Sequence, residues 1–200
     1  MNSPLFSPLV ERAMRLAARA HRNHQRKASD LPYISHPAGV AIILLQAGFT
    51  DEAMLAAALL HDVVEDTACE LADLETEFPP AVVAYVDALT EDKHHADGRK
   101  RSWQSRKEDH LREVAAASME ARAIVLADKL HNLGCMVYDL DSGEELWSRF
   151  GATPERVFWY HREMIAIAAG DDDQLQTLAD NCHDLLTKLE ADAETKLADQ

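Results

Sequence analysis

The segment ALLHDVVEDT, residues 58–67, sets His61, Asp62, Glu65 and Asp66 directly after the apolar run Met54–Leu60. An apolar helix accepts ionisable groups at this density only where something binds or neutralises them. Read as one helix, Asp62, Glu65 and Asp66 stand at i, i+3 and i+4 on one face, with His61 at i, i+4 from Glu65. Carboxylates at a helix C-terminus meet the unfavourable pole of the dipole, so three of them there favour a nearby cation. For Glu65 and Asp66 alone, a helix tip emerging into water is the simpler account. For His61 and Asp62, deep in the apolar pattern, it is not.

Two more residues have the same character. Asp128 interrupts the apolar stretch AIVLADKLHNL, residues 123–133, where an isolated carboxylate would be protonated or paired. Lys129 is a candidate partner, but adjacent helix residues point about 100° apart and are poorly placed to pair. His131 and Asn132 follow at i+3 and i+4. His36 precedes Pro37 at a helix entrance, where a side chain is readily presented to a cavity. His36, His61, Asp62 and Asp128 together offer two imidazoles and two carboxylates. That set suits a borderline divalent ion such as Mn²⁺, Fe²⁺ or Zn²⁺, with coordination positions left for water and a substrate oxygen. Metal-assisted hydrolysis needs such an arrangement.

The elements that must position these residues read as helices. Ser7–Pro8 is an N-cap with a first-turn proline and opens a helix through about His24. His36–Pro37 repeats the device, and Gly48 closes that helix. Thr50 is expected to cap the next one. Thr67 and Glu70 form a capping-box pattern, so the helix carrying His61 is expected to run to about Asp66. Phe78–Pro79–Pro80 is a break. Residues 91–110 are polar, charged and poorly periodic, and read as a loop or mobile flap. Ser118 caps a strong helix through Leu140, Thr153–Pro154 opens another that Gly170 ends, and 171–200 reads as one amphipathic helix with a fraying tail. Alternating strand patterns, a nucleotide-type glycine loop and internal repeats are lacking. The expected fold is all-α, a single-domain bundle of about nine or ten helices.

Composition narrows the function. With 47% apolar residues, 200 residues suffice for a buried core. A net charge of −15 argues against a nucleic-acid partner. It leaves room for an anionic small molecule if a metal or local basic groups reverse the field. Cys69, Cys135 and Cys182 are scattered and odd in number, which excludes a disulfide scaffold and a cysteine zinc site and fits a reducing cytosol. The start, MNSPLFSPLVERAMRL, has no signal-peptide pattern, and no stretch reaches membrane-span length. A cytoplasmic location without a membrane partner is expected.

The order His…His-Asp…Asp on helices resembles the HD phosphohydrolase superfamily. The words HRNHQRK, PYISHPAGVA, AALLHDVVEDT, LTEDK and LADKLHNL narrow this further. They resemble the hydrolase domain of Rel/Spo-type alarmone enzymes and the stand-alone small alarmone hydrolases, over about residues 10–168. The resemblance implies an HD-type domain over 1–170, with 171–200 packed on it or extending from it. It implies hydrolysis of guanosine tetra- or pentaphosphate at the 3′-pyrophosphate, with Mn²⁺ (or another divalent ion) held by His36, His61, Asp62 and Asp128. Glu65 and Asp66 would orient and deprotonate the attacking water. Arg26, Lys27 and Asn132 match nucleotide-contacting residues, and Arg156 and Tyr160 resemble a phosphate-binding Arg and Tyr. Arg26–Lys27 also reads as a solvated loop pair, and Asn132 as a helix–helix hydrogen bond. Phe158 and Trp159 read as core.

Two departures bear on substrate. Family members often follow the Asn with Arg and a hydroxyl residue, whereas Gly134 and Cys135 stand here. Residues 94–110, HHADGRKRSWQSRKEDH, are rich in Arg and Lys, and read equally as a lining for the phosphate entrance or a solvated charge run. Beyond residue 170 only a helix-sized tail remains, so no nucleotide-making activity is expected. Two alternatives stay open: an HD-type phosphohydrolase of another nucleotide, such as one removing the 2′-phosphate of NADPH, and a catalytically silent nucleotide-binding module. Oligomeric state is not encoded in any feature of the sequence.

Overall fold

The computed structural model describes residues 5–26, 30–93, 97–143 and 153–198. Among them the chain forms ten helices and no strand, with an isolated bridge between Gln25 and Pro32. They are α1 (Pro8–Ala20), α2 (Ser35–Gln46), α3 (Glu52–Leu60), α4 (Val63–Asp66), α5 (Leu71–Glu77), α6 (Pro80–Leu89), α7 (Trp103–Ala116), α8 (Met119–Asp141), α9 (Pro154–Ala169) and α10 (Asp173–Ala198). The expected all-α architecture is the observed one.

Two helices form the centre. Every residue of α3 from Met54 to Leu60 is buried, because α1, α2, α6 and α8 surround it. Small side chains permit this crowding. Ala13 and Ala17 of α1 and Ala56, Ala57 and Ala58 of α3 are all fully buried, so the two backbones can approach closely. Helix α8 is the second centre, in contact with α2, α9 and α10 along its length and with α3, α6 and α7 on another side. Helix α10 lies on α8 and α9 and buries Leu175, Leu178, Cys182, Leu186 and Leu189. Asp128 therefore lies on a helix with neighbours on several sides, and His61 directly follows the buried α3. No helix among the described residues is long and apolar enough to cross a membrane.

Several boundaries depart from the sequence expectations. Helix α1 stops at Ala20, four residues before His24. Asp51, not Thr50, caps α3, since its extended backbone lets the carboxylate accept from the Met54 amide at 2.9 Å. The capping box before α5 pairs Glu70 with Asp73, while Thr67 turns back to donate to the Val63 carbonyl. The helix expected to run through Asp66 breaks at His61–Asp62 and restarts as the one-turn α4.

The largest correction concerns 91–110. Ser102 caps α7 by accepting from the Ser105 amide, and the helix spans Trp103–Ala116. Its inward face carries Trp103, Lys107, His110, Leu111 and Val114, at helical spacing. Polar types on that face hid the period, because their partners lie far away in sequence. His94, His95 and Ala96, the start of the Arg/Lys-rich segment, lie outside the described residues, as does Lys27.

Candidate metal centre and active site

The break after α3 is what assembles the first pair of site residues. Adjacent residues on a regular helix diverge by about 100°. Here His61 ends α3 and Asp62 precedes α4, and the irregular step brings His61 Nε2 to 3.0 Å from Asp62 Oδ2. From α2, His36 places its Nε2 3.6 Å from the same oxygen, and 3.1 Å from Asp128 Oδ1 of α8. His61 Nε2 lies 3.8 Å from that Asp128 oxygen. Ligating atoms of His36, His61 and Asp128 all fall within 4.8 Å of one another, a spacing that could hold one metal ion. Asp62 adjoins this trio through both imidazoles.

The donor chemistry fits a divalent cation. His61 directs Nδ1 to the Ala58 carbonyl at 2.8 Å, so the ring proton sits there and Nε2 carries the lone pair. That Nε2 is buried, faces the Asp62 and Asp128 oxygens and makes no well-aligned hydrogen bond, the condition of a ligand atom facing its metal. Tyr33 donates its hydroxyl to Asp62 Oδ2 at 2.6 Å and fixes the carboxylate. Burial by itself would raise the Asp62 carboxyl, but the neighbouring imidazoles hold it far below its usual range. Burial works against the Asp128 anion too, and the Lys129 ammonium and His36 overcome it. Burial works against protonation of both histidines. It prevails at His36, whose pKa is lowered, whereas the flanking carboxylates raise His61.

Lys129 corrects the sequence reading. Its long side chain folds back so that Nζ reaches Asp128 Oδ2 at 2.6 Å, despite the divergence of adjacent helix positions. Asn132 donates to Asp128 Oδ1 at 2.6 Å and accepts from Arg26 Nη2 at 2.8 Å. It therefore ties the loop after α1 to the metal-ligand candidate.

Glu65 joins the cluster in a cavity of about 170 Å³, whose remaining wall includes Lys107, Lys129 and Tyr160. Burial raises the Glu65 carboxyl, and Lys93 only partly offsets this. Lys93 Nζ lies 3.2 Å from Glu65 Oε1 and 2.6 Å from Asp66 Oδ1, and donates to the Glu65 carbonyl. Asp66 is not in the cavity wall and accepts a hydrogen bond from Lys93. Lys93 had its motif, LTEDK, but no role in the sequence reading.

A larger cavity of about 820 Å³ shares Tyr33, Lys129, Asn132 and Tyr160 with the smaller one. Arg26 borders it, as do Gly134, Cys135 and the apolar Leu31 and Met136. Its size is that of a small-molecule site. Tyr160 lines both cavities. Arg156 is exposed and stacks on Trp103, its guanidinium 4.5 Å from the ring centroid, and it lines neither cavity. One helical turn separates it from Tyr160, but Trp103 of α7 holds it away from the common wall.

The cations of α7 are anchored by a residue sequence reasoning missed. Buried Glu91 pairs with Arg106 and with Lys107, the latter at 2.6 Å, and lies 3.7 Å from His110. Burial opposes its ionisation, yet the nearby His110, the hydrogen bond from Lys107 and the Lys107 and Arg106 charges hold its pKa down to about 2, from an ordinary 4.5. A depressed carboxyl stabilises the fold fully above the unfolded value and loses that contribution as pH falls towards the folded one. The shift corresponds to about 3 kcal/mol, lost between about pH 4.5 and 2. Glu91→Gln should cost a similar amount at pH 7, read by urea unfolding. It should also flatten the acid limb of stability in that window; equal stability of the two proteins at pH 7 would contradict the anchoring role.

Comparison with known proteins places this geometry in a family. The HD domain model matches residues 13–147. The guanosine-3′,5′-bis(diphosphate) 3′-pyrophosphohydrolase MESH1 of Drosophila melanogaster is 42% identical over 60% of this chain and 65% of its own length. The human protein of the same name is 43% identical over 58% of this chain and 63% of its own. A GTP pyrophosphokinase of Streptomyces coelicolor is 41% identical over 64% of this chain, but only 15% of that protein. The chain therefore spans under two thirds of the length of these relatives. Among solved structures, one described as a metazoan ortholog of SpoT that hydrolyzes ppGpp superposes with a TM-score of 0.75 at 31% identity. It covers 90% of this chain and 96% of the other. The protein lmo0812 of Listeria monocytogenes superposes with a TM-score of 0.68, also at 31% identity, covering 82% and 98% of the two chains.

Proposed function

The chain belongs to the HD domain family, and from that premise we propose that it is a guanosine-3′,5′-bis(diphosphate) 3′-pyrophosphohydrolase. In this reading it converts guanosine tetra- or pentaphosphate to GDP or GTP plus pyrophosphate. An HD domain implies a divalent metal; Mn²⁺ is the proposed ion, with His36, His61, Asp62 and Asp128 as its ligands. Residues 1–170 form the hydrolase unit, and α10 braces α8 from outside. The observation that carries the reading is the meeting of an imidazole–carboxylate cluster and Glu65 in a small cavity that shares a wall with a nucleoside-sized one.

The bound metal would supply Lewis-acid charge stabilisation to the phosphate oxygens and lower the pKa of water. The rest falls to the chain. Glu65, made more basic by burial, accepts a proton from the attacking water. Lys93 and the Glu91 amide hold its two oxygens. Lys107 and Lys129 face the same cavity and counter the phosphate charge within an otherwise acidic chain. The new bond joins the water oxygen to phosphorus as the P–O3′ bond breaks, and the proton that Glu65 took from the water passes, directly or through solvent, to the departing O3′, which leaves as the ribose hydroxyl. Arg26, Asn132 and Tyr160 border the larger cavity and orient the nucleoside; Lys27 completes the proposed set.

Gly134 and Cys135 line that larger cavity, where family members often carry Arg and a hydroxyl residue, and this favours one second reading. With less to grip guanine, the same centre could take another nucleotide phosphoester, such as the 2′-phosphate of NADPH. Side-by-side turnover of guanosine tetraphosphate, guanosine pentaphosphate and NADPH with Mn²⁺ separates them. Faster release of pyrophosphate from the guanosine compounds supports the primary reading, and faster phosphate release from NADPH overturns it. Metal-dependent release from none of them leaves the silent binding module as the better account.

A further inference from the structure

One ring nitrogen of His36 faces the carboxylates and the other faces a second imidazole. Nε2 lies 3.1 Å from Asp128 and 3.6 Å from Asp62. Nδ1 lies 3.0 Å from Nδ1 of His131 on α8, with the ring centroids 4.9 Å apart. A hydrogen bond between two ring nitrogens carries one proton, so one ring donates and the other accepts. An imidazole that offers its Nε2 lone pair to a cation keeps its proton on Nδ1. His36 must then donate, and His131 must accept.

The packing keeps the His131 ring in that place. Gly39 of α2, three residues after His36, lies so close to it that a Cβ at position 39 would overlap His131 Cδ2 and Nε2. The missing side chain creates the space the ring occupies. On α8, one turn further, Cys135 Sγ stands 3.5 Å from His131 Nδ1 and closes another side. Nothing in the proposed chemistry uses His131 directly, yet the contact between α2 and α8 is shaped around it.

We propose that His131 is a positioning residue, which accepts the His36 Nδ1 proton and so holds the ring in the tautomer and orientation that present Nε2 to the divalent ion. This rests on the metal-centre reading above. Outer partners of ligating histidines typically change metal affinity by about 10–100-fold when removed.

The test is calorimetric titration of the metal-free 200-residue chain with MnCl2, without nucleotide. His131→Leu should weaken Mn²⁺ binding by about 10–100-fold. His131→Gln, whose amide carbonyl can accept the proton, should recover most of the affinity, and His183→Leu, at an exposed histidine of α10, should leave it unchanged. Thermal unfolding of the same metal-free variants reports whether the fold is intact at the titration temperature. A merely structural role would lower the melting temperature and leave the affinity of the folded protein alone. Should His131→Leu not fold, Gly39→Ala, which displaces the ring without removing it, should weaken binding in its place. Wild-type affinity in His131→Leu, or Gln as weak as Leu, overturns the role of His131 and leaves the metal centre standing. If the wild-type protein itself binds no Mn²⁺, the metal-centre reading fails and this inference with it.

Discussion

His61→Ala should abolish both metal binding and hydrolysis. The imidazole sits between two carboxylates, 3.0 Å from Asp62 and 3.8 Å from Asp128, and its Nε2 has no other partner. Removing it deletes a proposed ligand and leaves the two anions facing each other in a buried site without the group that separates them. The loss should exceed the roughly 10–100-fold typical of outer-shell changes. Elemental analysis after dialysis, with a rate measured in parallel, reads both effects. Wild-type metal content in His61→Ala would remove His61 from the ligand set.

Glu65→Gln should separate metal binding from chemistry. The amide keeps the shape of the carboxylate, and Lys93 retains its pairing with Asp66. Metal should stay bound with wild-type affinity, since Glu65 belongs to the cavity wall and not to the His36–His61–Asp128 cluster. Turnover should fall by about 10²–10⁴, the usual contribution of a general base. The pH profile adds a sign. Burial raises the Glu65 carboxyl, so activity should decline as pH falls through a value above the ordinary glutamate range, and the residual rate of the variant should lack that limb. Full activity in Glu65→Gln would end its assignment as the base.

The helical class is legible in the sequence because apolar periodicity and capping residues are local signals. Asp128 stood out because an ionisable group in an apolar helix is costly wherever the partners are. What stayed hidden depends on contacts between distant segments. Helix α7 was obscured because its inward Lys107 and His110 look like surface residues until Glu91 and Tyr160 arrive from other elements. Lys129 was set aside on helix geometry, but four methylenes are enough to bring its ammonium back to Asp128. The convergence of His61 and Asp62 needed a helix break that no glycine or proline marks. Arg156 was misplaced for the converse reason, since i, i+4 spacing from Tyr160 puts both on one face without saying that Trp103 will occupy the arginine.

The most direct measurement is product analysis of guanosine tetraphosphate incubated with the Mn²⁺-loaded protein, beside a chelated sample and Glu65→Gln. The expected result is GDP and pyrophosphate in equal amounts from the loaded wild type, neither product above background from the chelated sample, and release slower by about 10²–10⁴ from Glu65→Gln. Cleavage that persists after chelation, or products other than GDP and pyrophosphate, would contradict the assignment of this metal centre to 3′-pyrophosphate hydrolysis.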